Sequence, residues 1–194
     1  MKVNLPQGID YTKYNSTSGM STKVWGKASW KFLFSCIMGR YPLKINKNNK
    51  EHMIIQKEFK NLLVNGLQNI LPCVYCRNSF KDFLKELPIK QYLIGRIELM
   101  YWLYLMKDKV NNKLINQEKI CYLDEKKRLK DLFYNKIITQ EQYYQEIKQF
   151  KTHNFPTIPS PPFEQVLQEY EQIRAMCSPK SLTCSNTLIN YPRS

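Results

Sequence analysis

At 194 residues, 43% of them hydrophobic, the chain is long enough to bury one ordinary core with a small appended unit. It has no run of about 18 apolar residues, so no membrane span is expected, and its start, MKVNLPQGID, lacks the apolar stretch of a secretory signal, which predicts a protein kept on the cytosolic side. The formal charge of +14 is scattered among Asn, Ile and Tyr, without an arginine-rich arm or a Gly-punctuated aromatic motif, and reads as a solvated basic surface rather than a nucleic-acid interface.

Residues 1–20 carry no periodic pattern and read as a loose arm. From about Thr22, apolar residues recur at three- and four-residue spacing through Trp25, Trp30, Leu33, Phe34, Ile37 and Met38, which predicts a helix stopped by Tyr41-Pro42. After an Asn/Lys-rich loop over 44–50, a second helix carries Ile55, Phe59, Leu62, Leu63, Leu67 and Ile70 as one stripe and ends near Leu71-Pro72. A third starts at Cys73 and repeats through Cys76, Phe80, Phe83, Leu84 and Leu87 until Pro88. A fourth, the longest, is predicted over roughly 90–114 with Leu93, Ile97, Tyr101, Leu105 and Val110. No alternating strand pattern intervenes. The fold class is therefore all-α, a four- to five-helix bundle in which a cofactor site is built from facing helices.

Beyond Cys121 the composition changes. Residues 123–150 are strongly charged and predicted helical in two pieces, the second opened by Thr139 with Gln142 three residues later, a capping box. The Pro-rich stretch 153–162 should be extended, and a last helix from Phe163 to about 176 presents Val166, Leu167, Tyr170 and Ile173. The expected domains are an arm over 1–20, a principal unit over 21–121, and a mainly helical, charged extension over 122–194.

Six cysteines in a chain expected in a reducing compartment point to chemistry rather than to a passive disulfide framework. The stretch LPCVYCRNSF, residues 71–80, holds Cys73 and Cys76 directly after a proline at a predicted helix start. That position brings two sulfurs together and offers unpaired backbone amides to a thiolate, with Arg77 and Lys81 following on the same helix. Structural zinc would need two more ligands, whereas there is no second Cys-x-x-Cys and the two histidines, His52 and His153, lack ligand spacing, so no metal site is expected. A thioredoxin-type centre would need a strand before the pair. A redox disulfide in a helical bundle remains, and a flavin is the natural outlet for its two electrons.

WGKASWKFLF (residues 25–34), Tyr41-Pro42, LPCVYCRNSF and WLYLMKDKVNNKL (residues 102–114) occur in an order and spacing that resembles the Erv/ALR family of FAD-linked sulfhydryl oxidases, most closely members carried by large DNA viruses. The resemblance covers about 22–121. It implies a helical bundle binding FAD, often as a homodimer, that oxidises dithiol protein substrates and passes electrons to oxygen to give hydrogen peroxide, here in a host cytoplasm or a virion. By position it implies Cys76 as the flavin-proximal thiolate and Cys73 as the interchange cysteine. Gly26, Lys27, Trp30, Phe34, Tyr41, Lys107, Asn111 and Lys113 are implied as FAD contacts. Phe34 and Lys107 stand where the family usually has histidine, so hydrogen bonds to the cofactor are lost there. Trp102 is read as core.

Cys177 and Cys184, with six residues between them in a polar tail, suit a mobile shuttle pair, with a bridge such as Cys121 to Cys177 as the competitor. Cys36, on an apolar helix face, is read as a packing residue. Two other classes stay open: a helical scaffold or binding protein of the same descent that has lost FAD, favoured by Phe34 and Lys107, and a basic nucleic-acid-binding protein, supported by charge alone.

Overall fold

The computed structural model describes residues 18–154, 158–173, 175–176 and 185–186. The tail cysteines Cys177 and Cys184 and most of the expected arm lie outside these residues. Two compact units are present, Met1–Leu103 with Leu167–Ser194, and Tyr104–Val166. Among the described residues no helix is long and apolar enough to cross a membrane.

In the first unit, α1 spans Thr22–Arg40 and ends where Tyr41 precedes a proline and adopts an extended backbone. Its inner face is Leu33, Phe34, Ile37 and Met38, all buried. Tyr41, fully enclosed, anchors the end of this helix. Its hydroxyl donates to the Leu93 carbonyl at 2.7 Å, its carbonyl accepts from Arg96 Nε at 2.7 Å, and its ring meets Phe59 edge-on at 5.2 Å. Burial pushes the Tyr41 phenol up to about 12, against the opposing hydrogen bond with Gln56.

The second helix, α2 (Lys50–Lys60), is capped by Asn49, whose side chain accepts from the His52 amide at 3.2 Å. His52 in turn accepts the Asn46 amide on Nδ1, so this histidine closes a turn. The helix continues as a π segment, Asn61–Gly66, into α3 (Leu67–Ile70). The cause lies in the spacing of Ile55, Phe59, Leu63 and Leu67, all buried and four residues apart. Strict four-residue spacing drifts around a 3.6-residue helix, and a turn of wider i→i+5 bonds winds the stripe back onto the core. Leu62 and Ile70, expected in that stripe, are exposed.

Helix α4 (Val74–Glu86) follows Pro72, and a 3₁₀ turn over Ile89–Tyr92 leads to α5 (Arg96–Tyr134). The stripe expected on the fourth helix is corrected by about half a turn. Leu99, Met100, Trp102, Leu103 and Met106 are fully enclosed, while Tyr101 is exposed and Ile97, Leu105 and Val110 are half-buried. Trp102 is core as expected, its indole N–H donating to the Leu87 carbonyl at 3.0 Å. The sequence break expected near residue 114 is absent because no Gly or Pro interrupts residues 96–134, and Cys121 lies within the helix, exposed.

Within the second unit, α5 ends at a left-handed turn on Lys136, and α6 (Gln140–Asn154) opens with the expected capping box. The Thr139 amide donates to Gln142 Oε1 at 2.8 Å and the Gln142 amide to Thr139 Oγ1 at 3.2 Å. Phe133 and Tyr143 pack at 6.2 Å, and Lys151 lies over the Tyr122 ring at 5.1 Å. Residues 160–163 lie on the first turns of this part of α5: the Tyr104 hydroxyl donates to the Pro161 carbonyl at 2.9 Å and its ring meets Phe163 at 5.5 Å. Helix α7 (Phe163–Gln172) follows, with Val166 and Tyr170 buried, and a two-residue antiparallel pair, Ala175–Met176 with Ser185–Asn186, ends the described chain.

Candidate redox site

Local backbone chemistry builds the cysteine pair. Leu71 precedes a proline and is held extended, and Pro72, which has no N–H, ends the preceding helix. Cys73 then takes the N-cap position of α4 with φ −115° and ψ 128°, and its sulfur accepts the Cys76 amide at 3.3 Å. It does what a serine oxygen does at a helix start.

Both cysteines are free thiols, Cys73 buried and Cys76 half-buried, and their sulfurs share a hydrogen bond. Burial pushes the Cys73 thiol up, yet the hydrogen bonds from the Cys76 side chain and from the Cys76 and Tyr75 amides, together with the Arg77 charge, outweigh it and bring the thiol below its ordinary value. Arg77 is fixed for this task, its guanidinium donating to the Leu71 carbonyl at 2.5 Å. Lys81, the other expected cation, is exposed a turn further on. Cys36 shows the contrast: half-buried on α1, its thiol is pushed up by burial.

A second segment completes this site. The Met20 amide donates to the Pro72 carbonyl at 2.9 Å and the Val74 amide to the Ser18 carbonyl at 3.3 Å, so Gly19 pairs opposite Cys73 as an antiparallel bridge. This contact brings the chain just before α1 onto the start of α4. Sequence reading missed it; Ser18-Gly19 is legible as a turn, but its partner is not.

The other expected site residues fall into three groups. Gly26, Lys27 and Trp30 lie on the first half of α1, Gly26 and Trp30 half-buried and Lys27 exposed. Phe34 and Tyr41 are interior, and Phe34 packs against Tyr170 of α7 with ring centroids 5.2 Å apart, tilted by 31°. Lys107, Asn111 and Lys113 lie on α5 in the second unit, where Asn111 Nδ2 donates to Ser160 Oγ at 2.8 Å. Tyr170 and Ser160 were not singled out from sequence, where they read as one more stripe residue and one linker residue.

A helical protein whose vicinal dithiol caps a helix is a thiol–disulfide module of the all-α class. Residues 27–131, just over half of the chain, match the Erv1/Alr family. The chain belongs to that family, whose members are FAD-linked sulfhydryl oxidases. Among solved structures it is similar to the crystal structure of the yeast Erv1 core, at 25% identity over 56% of this chain and 84% of that one, with a TM-score of 0.40. No curated protein matches it significantly. Residues 18–20 and 160–170 lie outside the family match.

Proposed function

We propose that this chain is a thiol oxidase that forms disulfides from protein dithiols, with Cys73 and Cys76 as its redox pair, FAD as electron carrier and oxygen as final acceptor, giving hydrogen peroxide. The observation that carries this reading is the Cys73 sulfur on the Cys76 amide, in a thiol made more acidic than usual by the start of α4. In the oxidised pair, a substrate thiolate attacks the Cys73 sulfur, the Cys73–Cys76 bond breaks, and Cys76 leaves as a thiolate. A second substrate thiolate attacks the substrate sulfur of the mixed disulfide, the substrate disulfide forms, and Cys73 leaves as a thiolate held by the helix amides. The pair has gained two electrons and the substrate has lost two. A leaving thiol of lowered pKa departs faster, so the helix start favours release of oxidised substrate.

The residues of α1 fit the cofactor in part. A Cβ built on Gly26 meets nothing nearer than the Thr22 Cβ at 4.0 Å, so the chain's own packing does not fill the space beside this mid-helix glycine. A glycine there costs the helix about 1 kcal/mol relative to alanine, and a flat ring system lying on α1 gives it a use. Gly26, Lys27 and Trp30 would hold the flavin, whose chemistry when bound is to accept an electron pair from a thiolate and hand it to oxygen. Phe34 and Tyr41 do not fit as direct contacts, since their rings are enclosed by Tyr170 and Phe59. Asn111 has one N–H engaged by Ser160, and Lys107 and Lys113 stay in the reading by resemblance. Cys76 is taken as the flavin-proximal thiol, and Cys177 with Cys184 as a shuttle pair. A homodimer stays in the reading by resemblance.

A second reading has one observation in its favour: Phe34 is covered by Tyr170, which suits a helical binding protein that keeps the family bundle without its cofactor. The visible absorption spectrum of the purified chain and its oxygen uptake with a dithiol separate the two. A flavin spectrum with dithiol-dependent uptake that Cys76→Ser abolishes is expected of the oxidase. A colourless chain that stays inactive after added FAD decides for the second reading.

A further inference from the structure

We infer that Gly19 is a positioning residue for the redox pair: the turn it forms clamps the backbone of residues 72–74, so that the Cys73 sulfur is held on the amides of α4. The inference rests on the reading of Cys73 and Cys76 as the redox pair.

The clamp has two backbone hydrogen bonds, one on each side of Cys73. Met20 donates to the Pro72 carbonyl before it, and Ser18 accepts from the Val74 amide after it. Together they fix Cys73 in the extended N-cap conformation that aims its sulfur at the Cys76 amide. They also divide the unpaired amides that every helix start presents. The Val74 amide goes to Ser18, and those of Tyr75 and Cys76 act on the Cys73 sulfur.

Glycine is required at position 19 for a steric reason. Its φ is +78°, and a Cβ there would stand 1.9 Å from the Pro72 oxygen and 3.2 Å from the Cys73 Cα. These are backbone atoms, which cannot rotate away as the end of a side chain can. Any other residue must push the turn off residues 72–74. A further tie holds the turn, the Trp25 indole N–H donating to the Met20 carbonyl at 3.2 Å. Gly19 and Trp25 both precede the stretch matched to the family, which begins at residue 27.

The test is the pH dependence of Cys73 alkylation by iodoacetamide in the full reduced chain, read for each cysteine by peptide mass spectrometry. In Gly19→Ala the midpoint for Cys73 is expected to rise by about one pH unit, the worth of one hydrogen bond to a thiolate, so that its modification well below the midpoint slows about tenfold. Cys121, exposed on α5, serves as the internal reference and should not move. Gly19→Asn is expected to behave like Gly19→Ala: asparagine accepts a positive φ, but its Cβ still meets the Pro72 oxygen. Trp25→Phe, which loosens the turn without the collision, should shift the midpoint in the same direction by less, and keeps the test available if either glycine variant fails to fold. An unchanged Cys73 midpoint in folded variants overturns the inference, as does rescue by asparagine. Equal acceleration of all six cysteines would mark general unfolding and also count against it. Wild type without oxygen uptake, but with the Cys73 shift intact in the variants, would instead overturn the oxidase reading and leave the clamp standing.

Discussion

The start of α4 and the inner half of α1 are both implied as parts of one redox centre, and they are held by interactions of opposite range. At the start of α4, a proline, an N-cap cysteine and a following arginine do most of the work within seven residues, 71–77. On α1, Phe34 is enclosed by an aromatic ring from α7, more than 130 residues further along the chain. A locally built site is tolerant of change elsewhere and fails through its own chemistry. A site built from distant segments fails through packing, and its occupant can be another part of the protein.

Replacing Cys73 by serine tests the contrast most strongly. Serine is a favoured N-cap, so the variant should melt within a few degrees of wild type, yet dithiol-dependent oxygen uptake should fall to background. A stable, active Cys73→Ser chain would break the comparison, because the sulfur would then be only a cap. On the other side, Tyr170→Ala should lower stability by about 3 kcal/mol by removing a buried aromatic, measured by denaturant unfolding. In the double-mutant cycle with Phe34→Ala, the coupling should be about 1 kcal/mol for the ring pair. If Tyr170→Ala leaves stability unchanged, α7 does not hold the interior of α1.

Smaller effects sharpen the picture. Ser160→Ala should cost about 1 kcal/mol through the lost bond to the half-buried Asn111, a loss that should not add to that of Asn111→Ala in the same denaturant experiment. The two shifted thiols give opposite pH signatures. Cys73 has a lowered folded pKa, so its contribution to the stability of the dithiol form is present above the ordinary value of 9.0 and is lost as pH falls through the lowered folded value. Cys36 has a raised folded pKa, so its contribution is present below 9.0 and is lost as pH rises through the raised value. Denaturant midpoints of the reduced protein should therefore rise with pH as 9.0 is approached from below and fall above it. Cys36→Ala should remove the part of the fall that begins at 9.0 and leave the part that begins near 10, which belongs to the buried Tyr41 phenol.

The elements with local punctuation were legible in advance: the stop of α1 at Tyr41-Pro42, the start of α4 after Pro72, and the capping box of Thr139 and Gln142. The core face of α5 was not. Residues 97–106 are apolar almost all the way round, so periodicity offers several equivalent faces, and only the neighbours packed on it choose Leu99, Trp102, Leu103 and Met106. The π segment in the second helix was equally hidden, because a four-residue spacing is compatible with a helix in sequence and incompatible with an undistorted one against a flat core.

For the candidate site the division is the same. Sequence alone determined the cysteine pair, its helix-start position and the nearby positive charge, because each depends on residues within one or two turns of each other. Tertiary structure decided which neighbours complete it. That Gly19 lies opposite Cys73 with no room for a side chain, and that Tyr170 and Ser160 engage Phe34 and Asn111, depends on segments far apart in the chain meeting in space. Such meetings carry no local signature, since the residues that make them satisfy ordinary turn and helix rules wherever they fall.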